Sequence, residues 1–206
     1  MTNKHQDLMI SLNVSRETIS SFDTYFKEVK KWNQKMSLIQ EKTQSDFYER
    51  HIIDSLQICQ HITDKDLSIA DIGSGAGFPG MVLAMFGYKN VTLFESNIKK
   101  VVFLSEVARI TNTKVSIINE RVEKAKNNYD VFISRACCSL PLLLRYMIDV
   151  SRETNPMGIF HKGQNFAAEE ISAREDWLFD IEKHQSITSS DGVIVKITNV
   201  REHING

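Results

Sequence analysis

The run Asp71-Ile72-Gly73-Ser74-Gly75-Ala76-Gly77-Phe78-Pro79-Gly80 limits what this chain can fold into more than any other stretch. It follows a short apolar segment, Leu67-Ser68-Ile69-Ala70, and leads into a second, Met81-Val82-Leu83-Ala84-Met85-Phe86. That order reads as strand, glycine turn and helix. Gly73, Gly75, Gly77 and Gly80 lack a Cβ, so a ligand can lie directly on the backbone. The plainer alternative is a tight turn that holds nothing, but an ordinary strand end does not need so many glycines.

The rest of the chain suits one α/β domain with a helical appendage. It has 206 residues, 42% hydrophobic and 25% charged, enough for a buried core. No apolar run approaches the roughly 18 residues of a membrane span. The polar start predicts no secretory leader, and a cytoplasmic location is expected. Cys59, Cys137 and Cys138 give neither a disulfide framework nor metal-ligand spacing, so no metal is expected. The net charge of -1 argues against a generic polyanion binder. Lys and Arg outnumber Asp and Glu between 67 and 150, however, and the reverse holds after 151. Any nucleic-acid contact should therefore come from a local, salt-sensitive patch.

Helices are predicted over 15–33, with Ser15 as N-cap, and over 45–61. No strand is predicted before 67, so 1–66 reads as a helical cap and 67–206 as the main domain. In that domain, strands at 67–72, 91–95, 114–118, 129–134, 157–161 and 192–198 alternate with helices at 79–87, 97–111, 139–150 and 165–177. This alternation predicts a doubly wound, mostly parallel sheet, closed by an antiparallel strand after the turn Ser189-Ser190-Asp191-Gly192.

Two ligand classes compete for the glycine turn. The dinucleotide pattern Gly-x-Gly-x-x-Gly fails from Gly73, where Phe78 takes the third glycine's place, and holds formally from Gly75 through Gly77 and Gly80. Asp71 would repel a diphosphate but suits a cationic ligand. Phe78-Pro79 crowds the place where a dehydrogenase helix offers free N–H groups to phosphate. S-adenosylmethionine, with its ammonium and sulfonium, fits better. Glu95, ending the second strand, can accept hydrogen bonds from ribose hydroxyls in either class. Glu123, after the third strand, could border the adenine or simply sit in a solvated loop. Arg135, at the carboxyl end of the fourth strand, contacts cofactor or substrate, or else forms a salt bridge to Asp71 or Glu95.

These residues carry a resemblance. Trp32-Asn33, Arg50-His51-Ile52-Ile53-Asp54-Ser55-Leu56, Asp71 to Gly80, Arg121-Val122-Glu123, Ile133-Ser134-Arg135-Ala136 and Lys162-Gly163-Gln164 together resemble the glucose-inhibited division protein B family of small-subunit rRNA guanine-N7 methyltransferases. The resemblance implies a class I (Rossmann-like) methyltransferase fold, with a mostly parallel seven-stranded sheet and an N-terminal helical extension. It implies S-adenosylmethionine as cofactor, contacted by Gly73, Phe78, Val122, Glu123 and Arg135. It also implies basic functional positions at Arg121, Arg135 and Lys162, and a guanine in the 530 loop of 16S rRNA as acceptor, on naked RNA or an assembling small subunit. The chain departs from the family's pattern at Ser37 and Ile39, at Glu95 in place of Asp, and at Cys137-Cys138.

Guanine N7 carries a lone pair and no proton, so its methylation needs position and no general base. The exocyclic-amine signature, Asn/Asp-Pro-Pro-aromatic, is replaced here by Ser134-Arg135-Ala136-Cys137. Cys137 and Cys138 are expected to be small buried hydrophobes, not nucleophiles. Arg135 and Lys162 are the residues expected to arrange the guanine, while Lys99, Lys100, Arg121 and Lys162 are expected at the RNA. His51 is expected to pack and hydrogen-bond, and His161 to lie near the site mouth or in an ordinary half-buried place. A monomer without membrane contact is expected. A small-molecule methyltransferase and a non-catalytic nucleotide sensor are the alternatives.

Overall fold

Five short parallel strands and a C-terminal hairpin build the centre of the molecule. A computed structural model describes residues 3–40, 45–126, 128–151 and 155–203, with side chains from Asp7 onward. Strands β1 (Ser68–Ile72), β2 (Asn90–Phe94), β3 (Ser116–Ile118), β4 (Val131–Arg135), β5 (Met157–Lys162), β6 (Trp177–Gln185) and β7 (Val193–Glu202) form one sheet in the order β3-β2-β1-β4-β5-β7-β6. The first five strands are parallel, and β7 runs antiparallel to both β5 and β6. The mostly parallel seven-stranded expectation is borne out.

Alternation along each strand sends side chains to two cores. Ile69, Leu93, Val131, Ile133, Ile159 and Ile194 enter one core, and Ala70, Phe94, Phe132, Phe160 and Val195 enter the other. The first core is covered by α4 (Gly80–Met85), α5 (Ile98–Ile110) and the N-terminal extension. The second is covered by α6 (Leu140–Val150) and α7 (Phe166–Asp176). Hydrophobic runs in β1 and β4 therefore reflect burial on both faces.

The extension consists of α1 (Asn3–Ser11), α2 (Arg16–Asn33) and a helical segment around α3 (Asp54–Leu56). The Ser15 hydroxyl accepts from Thr18 N at 3.1 Å, as expected of an N-cap. Phe22, Tyr25 and Val29 line the buried face of α2 at helical spacing. Each such side chain contributes roughly 1.5–3 kcal/mol by its burial. They share one core with Phe78, Met81 and Phe103 of the main domain, so the expected boundary at 66/67 falls on a turn while the apolar interior runs across it.

Besides α1, which no sequence pattern marked, two elements differ from the sequence expectation. The helix expected over 45–61 is a π turn (Tyr48–Ile53), the single α turn α3 and a 3-10 turn (Gln57–His61). His51, Ile52 and Ile53 are all buried, as are Ser55 through Cys59, so residues 51–59 carry no alternation of buried and exposed positions at a 3.6-residue period. The other is β6, where sequence patterning gave no strand. It is the outer strand of the hairpin: Trp177 and Phe179 point inward while Asp180, Glu182 and Lys183 accompany them. Charges on an edge strand guard against further pairing and mask the alternation.

Candidate active site

The strand order reverses between β1 and β4, and the carboxyl ends of strands at such a point form a ligand crevice. A cavity of about 770 Å³ opens there. Its floor is Gly73, Ser74, Gly75, Ala76 and Phe78 from the glycine turn. Glu95, Ser96 and Lys100 come from the end of β2 and the start of α5, and Arg135 to Cys138 from the end of β4. His161, Lys162 and Gly163 come from β5, and Ser186, Thr188 and Ser189 from the hairpin. The extension closes the rest with Leu38, Ile39, Gln40, Arg50, His51 and Asp54.

The glycine turn is held from three sides. Gly73, Gly75 and Gly77 have positive φ, at 67°, 59° and 96°. A Cβ on Gly75 would meet nothing closer than the Gly73 carbonyl oxygen at 3.8 Å, so this glycine presents bare backbone to the cavity. A Cβ on Gly77 would lie 2.5 Å from the Tyr25 hydroxyl oxygen and 2.8 Å from Leu104. Gly77 therefore serves packing against α2 and α5, and it does not line the cavity. The Tyr25 hydroxyl donates to the Ala76 carbonyl, and its ring stacks on Phe78 at 5.2 Å.

Glu95 and Asp71 divide two tasks. Glu95 reaches the cavity wall, where Oε2 accepts from Gly75 N at 2.9 Å and Oε1 from Asn97 N at 2.7 Å. Each oxygen keeps a second lone pair. Asp71 is fully buried beneath the turn instead of facing a ligand. Its Oδ2 accepts from Gly80 N at 3.0 Å, Oδ1 has no partner among the described residues, and burial pushes its pKa up to about 7.

Arg135 has a partner that neither sequence reading named. Its guanidinium donates to Asp54 Oδ2 at 3.1 Å, to the Arg50 carbonyl at 2.6 Å and to His51 Nδ1 at 2.9 Å, and it lies over the Phe78 ring at 5.1 Å. The alternatives of Asp71 and Glu95 as ion-pair partners are replaced by a residue from the extension. His51 stacks on the same Phe78 ring at 4.7 Å. Burial first, and Arg135 second, hold its pKa down to about 3, so its ring is neutral and accepts from Arg135. Asp54 also accepts from the Thr188 hydroxyl at 2.7 Å, and its carbonyl accepts from His161 Nε2 at 2.7 Å. Burial opposes ionisation of Asp54, but His161, Arg135 and the Thr188 hydroxyl outweigh it and hold its pKa below the ordinary carboxylate value.

Lys162 is almost wholly internal, with its side chain 6% exposed. It donates to Glu169 Oε2 at 2.7 Å and to the Cys138 carbonyl at 2.8 Å. Glu169 Oε2 in turn accepts from Leu140 N at 2.8 Å, so the pair ties the 136–139 loop and the start of α6 to α7. Lys100 lines the cavity, while Lys99 and Arg121 are exposed outside it. Val122 is buried in the second core, and Glu123 pairs with Arg121 at 4.0 Å. Neither Val122 nor Glu123 lines the cavity. The two thiols depart from the expectation of buried small hydrophobes: Cys137 is exposed and Cys138 partly so, both in the cavity wall, and only Cys59 is buried.

Sequence reasoning did not assign Tyr25, Asp54 or the 38–40 loop to the site, and it placed the hairpin turn without bringing Ser186, Thr188 and Ser189 to the cavity. Asn33 gives the one local signal for the loop, since its Oδ1 accepts from Leu38 N at 2.8 Å and Ile39 N at 3.0 Å. Among the described residues no cluster of His, Cys, Asp or Glu suits a metal ion, and no helix is long and apolar enough to cross a membrane.

Sheet order, glycine turn and carboxylate at the end of β2 together define a class I methyltransferase fold. Solved structures agree at the level of fold. The ribosomal protein L11 methylase of Lactobacillus delbrueckii subsp. bulgaricus superposes with a TM-score of 0.60 at 15% identity, over 75% of this chain and 79% of that one. Magnesium protoporphyrin IX methyltransferase from Synechocystis, solved with bound SAM, gives a TM-score of 0.60 at 12% identity, over 90% of this chain and 97% of that one. At the level of sequence, the family described as rRNA small subunit methyltransferase G matches residues 18–198. The ribosomal RNA small subunit methyltransferase G of Rickettsia akari is 38% identical over 193 residues, 94% of this chain and 100% of the relative, and that of Rickettsia felis is 38% identical over the same span. The chain belongs to the rRNA small subunit methyltransferase G family.

Proposed function

We propose that this protein transfers a methyl group from S-adenosylmethionine to N7 of a guanine in the 530 loop of 16S rRNA. The observation that carries the reading is the cavity at the β1/β4 switch point, with bare Gly75 backbone on one side and the Glu95 carboxylate beside it, in a chain of this family. The volume of about 770 Å³ lies within the range of small-molecule sites and leaves room for a base beside a nucleoside. S-adenosylmethionine, when bound, supplies an electrophilic methyl on a sulfonium.

Glu95 is placed to take the ribose hydroxyls through its spare lone pairs, and its bond from Gly75 N fixes the carboxylate against the turn. The glycine turn gives the cofactor a surface without side chains. Phe78, pinned between Tyr25 and His51, forms an apolar wall. Arg135 holds a fixed positive charge beside that wall. A single donor to guanine O6 would orient the base and leave N7 free to attack. Lys162 supports this arrangement from behind through the Cys138 carbonyl. His51 is neutral and engaged with Arg135, which suits a reaction that removes no proton in the transition state.

The test is transfer of labelled methyl to small-subunit RNA from cells lacking the protein, followed by borohydride and aniline cleavage, which breaks the chain at N7-methylguanine. Label that maps to one cleavable guanine in the 530 loop is expected. Label on a ribose, on an exocyclic amine or on no RNA at all would overturn the reading.

A further inference from the structure

A second groove, of about 500 Å³, lies between the end of α2 and the outer face of α5. Trp32, Val101 and Val102 form its apolar surface, and Lys31, Lys35 and Arg109 stand around them. Trp32 is set in place by a ring contact with the buried Phe103 at 5.7 Å and by donation from Nε1 to Glu28 Oε2 at 3.1 Å. Val102 is 51% exposed, in the open part of the groove. We infer that this groove holds the RNA strand beside the acceptor guanine, with an unstacked base against Trp32 and Val102 and phosphates at Lys31 and Lys35. The inference rests on RNA being the methyl acceptor.

The groove continues the main cavity on both of its walls. On α5, Lys100 lines the cavity and Val101, the next residue, lines the groove; on the other wall, Lys35 lines the groove and Leu38 the cavity. A strand leaving the cavity on this side therefore meets the groove next. Its α5 wall, from Val101 to Arg109, extends about 12 Å at the helical rise, long enough for more than one nucleotide. Charge favours a polyanion. Among the lining residues three cations face one carboxylate, Glu106, and Lys30 and Lys100 flank them. Lys35 has no ion pair among the described residues. Lys31 is paired with Glu28 at 3.2 Å and Arg109 with Glu106 at 2.8 Å, and both cations are exposed. Such pairs contribute little and exchange readily for a phosphate. An aromatic face inside a cationic groove is how single-stranded nucleic acid is held without base-specific contacts, because every base can stack.

The test is binding of the full chain to unmethylated RNA carrying the 530 loop, with tryptophan emission followed in the same titration. The other tryptophan, Trp177, is buried in the second core, so a change in emission reports Trp32. Emission is expected to be quenched by the RNA in the wild type and unaffected in Trp32→Phe. Val102→Glu should weaken RNA binding roughly tenfold and Lys35→Glu roughly fivefold. Ile171→Glu, the same change at a 70% exposed position on α7, should not weaken it. S-adenosylhomocysteine affinity should match the wild type in all four variants. Equal RNA affinity in Val102→Glu and Ile171→Glu, or unquenched Trp32 with RNA bound, would overturn the inference. A dimer that Val102→Glu separates at unchanged RNA affinity would assign the groove to a second copy of the chain and overturn it too. Methyl transfer to the same RNA by the wild type would leave the proposed function standing in each of those cases. RNA held in the groove without methyl transfer would overturn the function and keep the groove, and absence of RNA binding would overturn both.

Discussion

The Asp54 carboxylate lies 3.1 Å from the Arg135 guanidinium, and that contact joins the N-terminal extension to the end of β4 at the cavity wall. Both side chains are largely buried, 15% and 18% exposed, so the pair is held in one geometry by its remaining hydrogen bonds. The extension thereby completes the site, because Arg135 is aimed by Asp54, the Arg50 carbonyl and His51, all outside the sheet.

Asp54→Ala should therefore damage both fold and site. Removing one member of a buried pair leaves the other charge uncompensated, at about 3–5 kcal/mol; the residual exposure of both places the expected cost near the lower bound. Urea denaturation measures it. Methyl transfer should fall further than S-adenosylhomocysteine affinity, because Glu95 and the glycine turn remain in place. The carboxylate's lowered pKa adds a pH signature. Its stabilisation is present above the ordinary carboxylate value and disappears as pH falls through the lowered folded value, so the gap between wild type and Asp54→Asn should narrow in acid. A gap independent of pH in that range would contradict the assignment.

Gly75 and Gly77 should respond differently to the same substitution. Both have positive φ, so alanine costs each of them roughly 1 kcal/mol or more of backbone strain. Gly77→Ala also drives a methyl to 2.5 Å from the Tyr25 hydroxyl, so it should lower the urea midpoint far more. Gly75→Ala has open space and should lower S-adenosylhomocysteine affinity more than stability. Calorimetry and denaturation on both variants separate the two roles, and equal loss of stability would refute the distinction.

What the sequence made legible was whatever local chemistry could announce. Gly73 to Gly80 declared a turn because positive φ selects glycine, and Ser15 declared a helix start because its hydroxyl caps Thr18 N. Arg135 stood out as a cation just beyond an apolar strand, but its partner did not, because Asp54 lies 81 residues away and reaches it only when the extension folds onto the sheet. Tyr25 looked like one aromatic among several on an amphipathic helix, and nothing local marks the bond to Ala76. β6 was hidden for a different reason, since an edge strand carries charges that erase its alternation.

Asp71 gives a pH dependence of the opposite sign from Asp54. Burial raises its pKa from 3.8 to about 7, so the folded state holds the proton more tightly than the unfolded chain does. That contribution is fully present below the unfolded value and is lost as pH rises through the folded one. Wild-type stability, measured relative to Asp71→Asn, should therefore decline between about pH 4 and 7 and level off above. The asparagine carbonyl can still accept from Gly80 N, so the variant should fold. A rising difference across that interval would show that the carboxylate is stabilised as an anion by a partner.

Lys99 and Arg121 test the RNA side of the proposal without touching the cavity wall. Both are exposed, Arg121 with 71% of its side chain, near the carboxyl ends of β2 and β3. Arg121 has only a distant pairing with Glu123 at 4.0 Å, which costs little to exchange for a phosphate. Each phosphate contact to single-stranded RNA contributes about 0.7 to the slope of log affinity against log salt. Replacing both residues with alanine should reduce that slope by about twice this amount and weaken binding of a 530-loop RNA most at low salt. S-adenosylhomocysteine affinity should stay within error of wild type in the same variant. An unchanged salt slope would move the RNA face elsewhere, leaving Lys100 at the cavity mouth as the cation from which to search.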